Sequence, residues 1–258
     1  MRVLTPDDLP ACVRLASDRG WPEEPAKWAF LLRVGTGFGL FEGDELIGTT
    51  IVTRFGDAHA AVSMVLVASA HGGRGWGRRL VGHALEFAGT PVVSLHATSF
   101  GKPLYEKLGF RSVGRVTAHV GEFRGAAPGT SRPLAEADRA RVVAVDAEVF
   151  GADRSGMWEE LFGFAERVRV ADDGFAAAWR NGDVTMVGPV VASSAARAAE
   201  LVADLASGVV RVDVRDPWLG AWLARHGVPA RFTVDLMVRG EFGGDRARLF
   251  APVMQALG

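Results

Sequence analysis

The chain is poor in the residues that build several common kinds of site. It has one cysteine, Cys12, in 258 residues. No intrachain disulfide can form, and the expectation is a protein of the reducing cytoplasm. Its six histidines include no His-x-x-x-His pair, so no metal site is expected. Lysine and arginine number 29 against 30 aspartates and glutamates, a formal net charge of −1. With no long basic run, nucleic acid is not an expected partner. No apolar run approaches the roughly 18 residues that a membrane span needs. The opening Met1–Asp8 is broken at once by charge and proline, so it does not read as a signal peptide. Neither Gly-x-Ser-x-Gly nor Gly-Lys-Ser/Thr occurs in the sequence, which argues against a serine-hydrolase elbow and a nucleotide-hydrolysing P-loop. Tyrosine is as scarce as cysteine: Tyr105 stands alone beside 15 phenylalanines. A chain that uses phenylalanine where only a ring is needed has kept one phenol, and that hydroxyl invites an explanation. The alternative is a ring packed at a helix end with its hydroxyl in water.

What is present is a globular composition, 48% hydrophobic and 23% charged, long enough for one large domain or two ordinary ones. The apolar strand Ala60–Val67 runs into Gly72-Gly73-Arg74-Gly75-Trp76-Gly77-Arg78-Arg79. A helix follows, with Trp76, Leu80, Val81, Ala84, Leu85 and Ala88 at helical spacing. Such a strand–glycine-turn–helix gathers free backbone N–H groups at the positive end of a helix dipole, where a phosphate binds. Glycine lets the ligand approach the backbone closely. A dinucleotide fingerprint fits poorly, because the next strand, Val92–His96, carries no carboxylate.

Residues 91–110, Pro-Val-Val-Ser-Leu-His-Ala-Thr-Ser-Phe-Gly-Lys-Pro-Leu-Tyr-Glu-Lys-Leu-Gly-Phe, add a strand, a break, a short helix and a glycine stop. With the glycine turn upstream, the chain here resembles the GCN5-related N-acetyltransferase superfamily. In that superfamily an R/Q-x-x-G-x-G/A turn binds the pyrophosphate of acetyl-coenzyme A, and a Leu-Tyr-Glu-Lys-Leu-Gly-Phe run carries a tyrosine that protonates the departing thiolate. The resemblance implies cofactor contacts at Gly72, Gly73, Arg74, Gly75, Trp76, Gly77 and Arg78, and at Thr98 and Lys102. It implies Tyr105 as general acid. It implies that a bulge at Val65, Leu66 and Val67 frees backbone groups for the pantetheine arm and the thioester oxygen, with the Leu66–Val67 amides as oxyanion donors. Two departures stand out: Gly72 replaces the usual Gln or Arg, and Thr98 stands where Asn is common.

Acyl transfer to an amine also needs a neutral nucleophile. The strand before the turn has no carboxylate, and Ser63 is its one polar side chain, able to position a water. His96 on the next strand titrates near neutrality and is a candidate base, against the plainer role of a structural histidine. A water relay to a distant carboxylate is the other route.

After Arg124-Gly125-Ala126-Ala127-Pro128-Gly129-Thr130, a linker-like stretch, the pattern restarts. The expected fold class is α/β: tandem acetyltransferase-like domains at 1–124 and 131–258, joined by 125–130, each a mixed, mostly antiparallel twisted sheet flanked by helices. Gly188-Pro189 falls where the second phosphate turn should be, without its arginine and repeated glycines. One active centre is therefore expected, with the second half shaping the acceptor pocket or an interface. Trp218 and Trp222 read as core or interface packing, and Trp21 and Trp28 as core or acceptor-site walls. Glu23, Glu24, Asp153 and Asp213 are solvated by default, though they could attract a cationic amine.

The resulting expectation is an N-acetyltransferase that moves the acetyl group of acetyl-CoA to a small-molecule amine by direct attack. The alternatives are a coenzyme A-binding regulatory module without turnover and a protein lysine acetyltransferase. A homodimer stays open.

Overall fold

The computed structural model describes residues 1–258. The first half runs β1 (Arg2–Val3), α1 (Leu9–Asp18), α2 (Pro25–Val34), β2 (Thr36–Glu42), β3 (Glu45–Phe55), β4 (His59–Val67), α3 (Trp76–Ala88), β5 (Val92–Ala97), α4 (Lys102–Glu106) and β6 (Arg111–Glu122). The order then repeats as β7 (Arg132–Pro133), α5 (Arg139–Phe150), α6 (Ser155–Phe164), β8 (Arg167–Ala171), β9 (Gly174–Asn181), β10 (Val184–Ala192), α7 (Ala195–Leu205), β11 (Val209–Val214), α8 (Pro217–Arg225) and β12 (Ala230–Arg239). One strand, β13 (Leu249–Ala251), has no counterpart in the first half. No helix is long and apolar enough to cross a membrane.

Helix α3 shows why the elements form where they do. Leu80, Val81, Ala84 and Ala88 recur on one face, and all four are buried. That face packs on β3 and β4, which are themselves buried along most of their length.

All strands join one sheet in the order β1-β2-β3-β4-β5-β12-β6-β11-β10-β9-β8-β7, with β13 beside β10. Pairing is antiparallel except at β4–β5 and β10–β11. The centre of the order is an exchange. β12, from the second half, lies between β5 and β6 and is antiparallel to both. β6, from the first half, lies between β12 and β11. Each half thus hands its closing strand to the other. Partner choice between distant strands leaves no local sequence signal, so the two halves read in the sequence as separate sheets while the structure joins them.

The largest buried cluster also spans both halves. It joins Cys12, Trp28, Phe30, Ile51 and Phe55 to Phe150, Trp158, Trp179 and Leu257. Phe30 of α2 stacks on Phe164 of α6 with ring centroids 4.4 Å apart.

Gly188-Pro189 is not the second phosphate turn. It lies inside β10, where the register with β9 slips between Val187 and Val190. Proline has no N–H to give a ladder, so a bulge tolerates it. The counterpart of the glycine turn is Ser193-Ser194, where Ser194 caps α7 by accepting the Arg197 N–H.

Candidate active site

The site begins where two parallel strands part. β4 and β5 pair only through His59–Ala61 with Val92–Ser94. Beyond that point they diverge around a cleft of about 440 Å³. The register of β3 with β4 slips between Thr49 and Ile51, so Met64 and Val65 together oppose Thr50. Met64 takes a φ of 50° at this bulge, a conformation costly for a residue with a side chain. The Thr49 hydroxyl helps hold it, donating to the Met64 carbonyl at 2.8 Å.

The bulge changes which amides are free. The Ala68 N–H donates to Ile47 O at 2.8 Å. Alternation along the strand then turns the Leu66 N–H toward β3 and the Val65 and Val67 N–H groups toward the cleft. Of the expected Leu66–Val67 pair, Leu66 is committed to the sheet, and Val65 joins Val67 on the open side.

At the mouth of the cleft, Gly73 and Gly75 adopt φ of 75° and 79°. No atom lies within 4 Å of the Cβ that either lacks. The left-handed turn and the bare backbone leave the N-terminus of α3 open, as an anionic phosphate requires. Gly72, Gly73, Gly75, Trp76 and Gly77 line the cleft. Arg74 and Arg78 are exposed at the turn, where they can supply charge at the rim. Two cleft-lining residues carried no motif in the sequence: His71, which is buried, and Arg19, whose guanidinium lies 5.9 Å from the Phe100 ring. The cradle fits a phosphate-bearing carrier such as coenzyme A.

Lys102 is not part of the cleft lining. Its ammonium pairs with Asp235 of β12 at 3.0 Å, and Ser112 also donates to that carboxylate at 2.8 Å. The exchanged strand has captured it. Thr98 lines the cleft and caps the next turn, its Oγ1 accepting the Gly101 N–H at 3.3 Å. Tyr105 is buried on the cleft wall. Burial pushes its phenol up to about 12, so it is protonated at neutral pH.

A second cavity, of about 280 Å³, adjoins the first. Trp21, Val62, Ser63, Met64, His96 and Thr98 line both, so they mark the junction. The Ser63 hydroxyl is buried there without a hydrogen-bond partner. The His96 Nδ1 donates to the Gln255 carbonyl at 2.6 Å, which leaves Nε2 as an acceptor. Burial lowers His96 to about 4, so the ring is neutral at physiological pH and a weaker base than a free histidine.

The far wall comes from the second half. Arg211 of β11, Phe232 and Val234 of β12, and Gln255 and Ala256 line it, opposite Glu24 and Lys27. Two of the four acids expected in solvent are buried, Glu24 and Asp213; Glu23 and Asp153 are exposed. Trp28 is core and Trp21 lines both cavities. Trp222 packs on Phe123 and His226, while Trp218 is 48% exposed.

The matching gap in the second half is filled. β10 and β11 pair through Thr185–Val187 with Val210–Val212 and then part. β13 occupies the opening, pairing with Val190 and Val191, while the Arg215 N–H donates to Phe250 O. At the head of α7, the Asp173 carboxylate accepts from Ser193 and pairs with Arg197 at 2.8 Å. A carboxylate at this helix N-terminus repels a phosphate.

Comparison with known proteins agrees with this architecture. The profile described as "Acetyltransferase (GNAT) family" matches residues 7–110, and that described as "Acetyltransferase (GNAT) domain" matches residues 142–251. The chain is 27% identical over 223 residues to the uncharacterized N-acetyltransferase YitH of Bacillus subtilis, covering 78% of this chain and 77% of that protein. Among solved structures, a candidate acetyltransferase of Pyrococcus horikoshii superposes with a TM-score of 0.81 at 20% identity, covering 100% of this chain and 95% of that one. A GCN5-related N-acetyltransferase of Sphaerobacter thermophilus gives 0.66 at 16% identity, covering 94% and 96%. At such identities the structural likeness speaks for the fold. The chain belongs to the GCN5-related N-acetyltransferase family, as two such domains in tandem, and is an acyl-CoA-dependent N-acyltransferase.

Proposed function

We propose that the protein transfers the acetyl group of acetyl-CoA to the free amine of a small molecule held between its two halves. The observation that carries this reading is the meeting of the two cavities at Ser63, His96 and Thr98. One cavity has a phosphate cradle at its mouth and the lone tyrosine on its wall. The other is small and walled by both halves.

Acetyl-CoA supplies the activated acyl group. The amides of Gly73–Gly77 hold its diphosphate, with Arg74 and Arg78 adding charge at the rim. The Val67 N–H orients the pantetheine arm, and the Val65 N–H donates to the thioester oxygen. The free amine bonds to the acyl carbon as the C–S bond breaks; Tyr105 gives its Oη proton to the departing sulfur, and the proton that the acylated nitrogen sheds passes through water to restore the phenol. His96 Nε2 and the Ser63 hydroxyl orient the acceptor nitrogen.

His96 does not strip a proton from an ammonium. Against an alkylammonium near pKa 10, a histidine at about 4 is roughly six units too weak, about 8 kcal/mol. The acceptor enters as the free amine. The single buried Cys12 suits a cytoplasmic setting.

The test is thiol release from acetyl-CoA over an amine panel, wild type beside Tyr105→Phe. We expect turnover with at least one amine and a loss in kcat of about tenfold or more in the variant, with unchanged melting. Binding of acetyl-CoA without product from any amine would favour a regulatory module and overturn this reading.

A further inference from the structure

The charged groups at the far end of the acceptor cavity that keep unused N–H groups are cations already balanced by their own acids. Apart from Glu24, three polar groups line this cavity and not the cofactor cleft: Lys27, Arg211 and Gln255, the last next to the junction, where its carbonyl meets His96. Glu24 is already occupied, its Oε2 accepting from the Lys27 ammonium at 2.7 Å and its Oε1 from Asn181 Nδ2 at 3.1 Å. Asp213, behind Arg211, is occupied too, taking Arg211 Nε at 2.9 Å and Nη2 at 3.1 Å. Every carboxylate oxygen nearby therefore holds a donor.

The donors are not exhausted. The Lys27 ammonium has N–H groups beyond the one it gives Glu24. Arg211 Nη1 makes no hydrogen bond, while Nε and Nη2 face Asp213. Gln255 Nε2 is buried with no partner at all. A buried amide left unmatched costs free energy of a kind that a ligand oxygen relieves. The junction is the reverse, with the His96 Nε2 lone pair and the Ser63 hydroxyl facing the reacting centre. The walls between are apolar, with Trp21 and Phe232 among them.

We propose that the acceptor is a small amine that also carries a carboxylate, with an apolar body between. Its nitrogen lies at Ser63 and His96, and its carboxylate at Lys27, Arg211 and Gln255. This rests on the acyl-transfer reading above and names its substrate class. Two cations on the carboxylate, each balanced from behind by its own acid, give selectivity without a net positive pocket. The second half, whose own cleft β13 fills, thereby serves as the specificity wall of the first.

The experiment uses the full chain and matched probes whose amine and carboxylate sit at opposite ends of an apolar body: 4-(aminomethyl)benzoate, 4-(aminomethyl)benzamide and benzylamine, with 6-aminohexanoate, 6-aminohexanamide and pentylamine as a second set. The readouts are kcat/KM by thiol release and calorimetric binding to the coenzyme A-loaded protein. We expect each free carboxylate to exceed its amide and its decarboxylated partner by about tenfold. Gln255→Glu places a like charge against the carboxylate without removing an ion pair from the fold. It should lower the carboxylate acceptors by about tenfold more than their uncharged partners, with an unchanged melting temperature. Equal or better use of the uncharged amines by wild type, or an equal loss across both classes in Gln255→Glu, would overturn the proposal. If no amine released thiol, the acyl-transfer reading would fail by itself. Calorimetry would then decide the acceptor class, with a carboxylate preference supporting it and equal affinities refuting it.

Discussion

Gly75→Ala separates the backbone's role at the turn from every side-chain effect. Gly75 takes φ 79° at the entry to α3, and no atom lies within 4 Å of the Cβ that alanine would add. The substitution therefore meets no clash, and its whole effect is conformational. A left-handed alanine costs roughly 1–2 kcal/mol. The free protein can escape that cost by relaxing the turn, but a turn wrapped on a diphosphate cannot. The cost then falls on binding, and 1–2 kcal/mol is a rise of about 5- to 30-fold in the coenzyme A Kd. Gly82→Ala is the control. It lies in the same helix with equally open space and no positive φ. Alanine there should stabilise by about 0.5–1 kcal/mol and leave the Kd alone. Calorimetric titration with coenzyme A, alongside thermal melting, reads both. If Gly75→Ala left Kd and melting unchanged, or if Gly82→Ala weakened binding as much, the turn would not be the phosphate cradle.

Two further tests address the fold that supports the site. Arg154 and Asp146 form a fully buried two-point ion pair behind the shared core. Arg154→Met should destabilise by about 3–5 kcal/mol by leaving a buried carboxylate alone, and adding Asp146→Leu should recover most of that in denaturant titrations. His59, buried against Phe150 and Ser94, is held down at about 3 by burial and the nearby Arg246 and Arg154; His96 is held at about 4. Their folded pKa values lie below the ordinary 6.5, so the unfolded chain binds more protons and stability is lost as pH falls from about 6.5 toward 4. The slope should reach about 1.4 kcal/mol per pH unit for each histidine, and His59→Phe should remove about one proton from it; an unchanged slope would show that His59 is not buried in its neutral form.

Local features were legible because their chemistry is local. The glycine turn, the face of α3 and the single phenol each announce themselves within a few residues, and the structure brings Gly72–Gly77, Thr98, Ser63, His96 and Tyr105 to one cleft. What the sequence hid depends on pairing between distant segments. Nothing near Asp235 says that β12 will lie beside β5 and take Lys102 from the cofactor. Nothing near Arg211 or Gln255 marks them as acceptor-site residues, since each reaches the cavity only because the halves share a sheet. The one-residue slip that turns the Leu66 amide inward is set by the register with β3, which periodicity does not reveal. Gly188-Pro189 misled because the pair is a common turn signal, and here it marks the bulge of β10 instead. The second half differs from the first in more than its missing glycines: β13 fills the gap where β10 and β11 part.

A crystal structure with coenzyme A bound tests the central claim most directly. We predict one molecule per chain, its diphosphate on the amides of residues 73–77 and its sulfur beside the Tyr105 hydroxyl. A molecule lodged between β10 and β11, or a sulfur remote from Tyr105, would contradict the account.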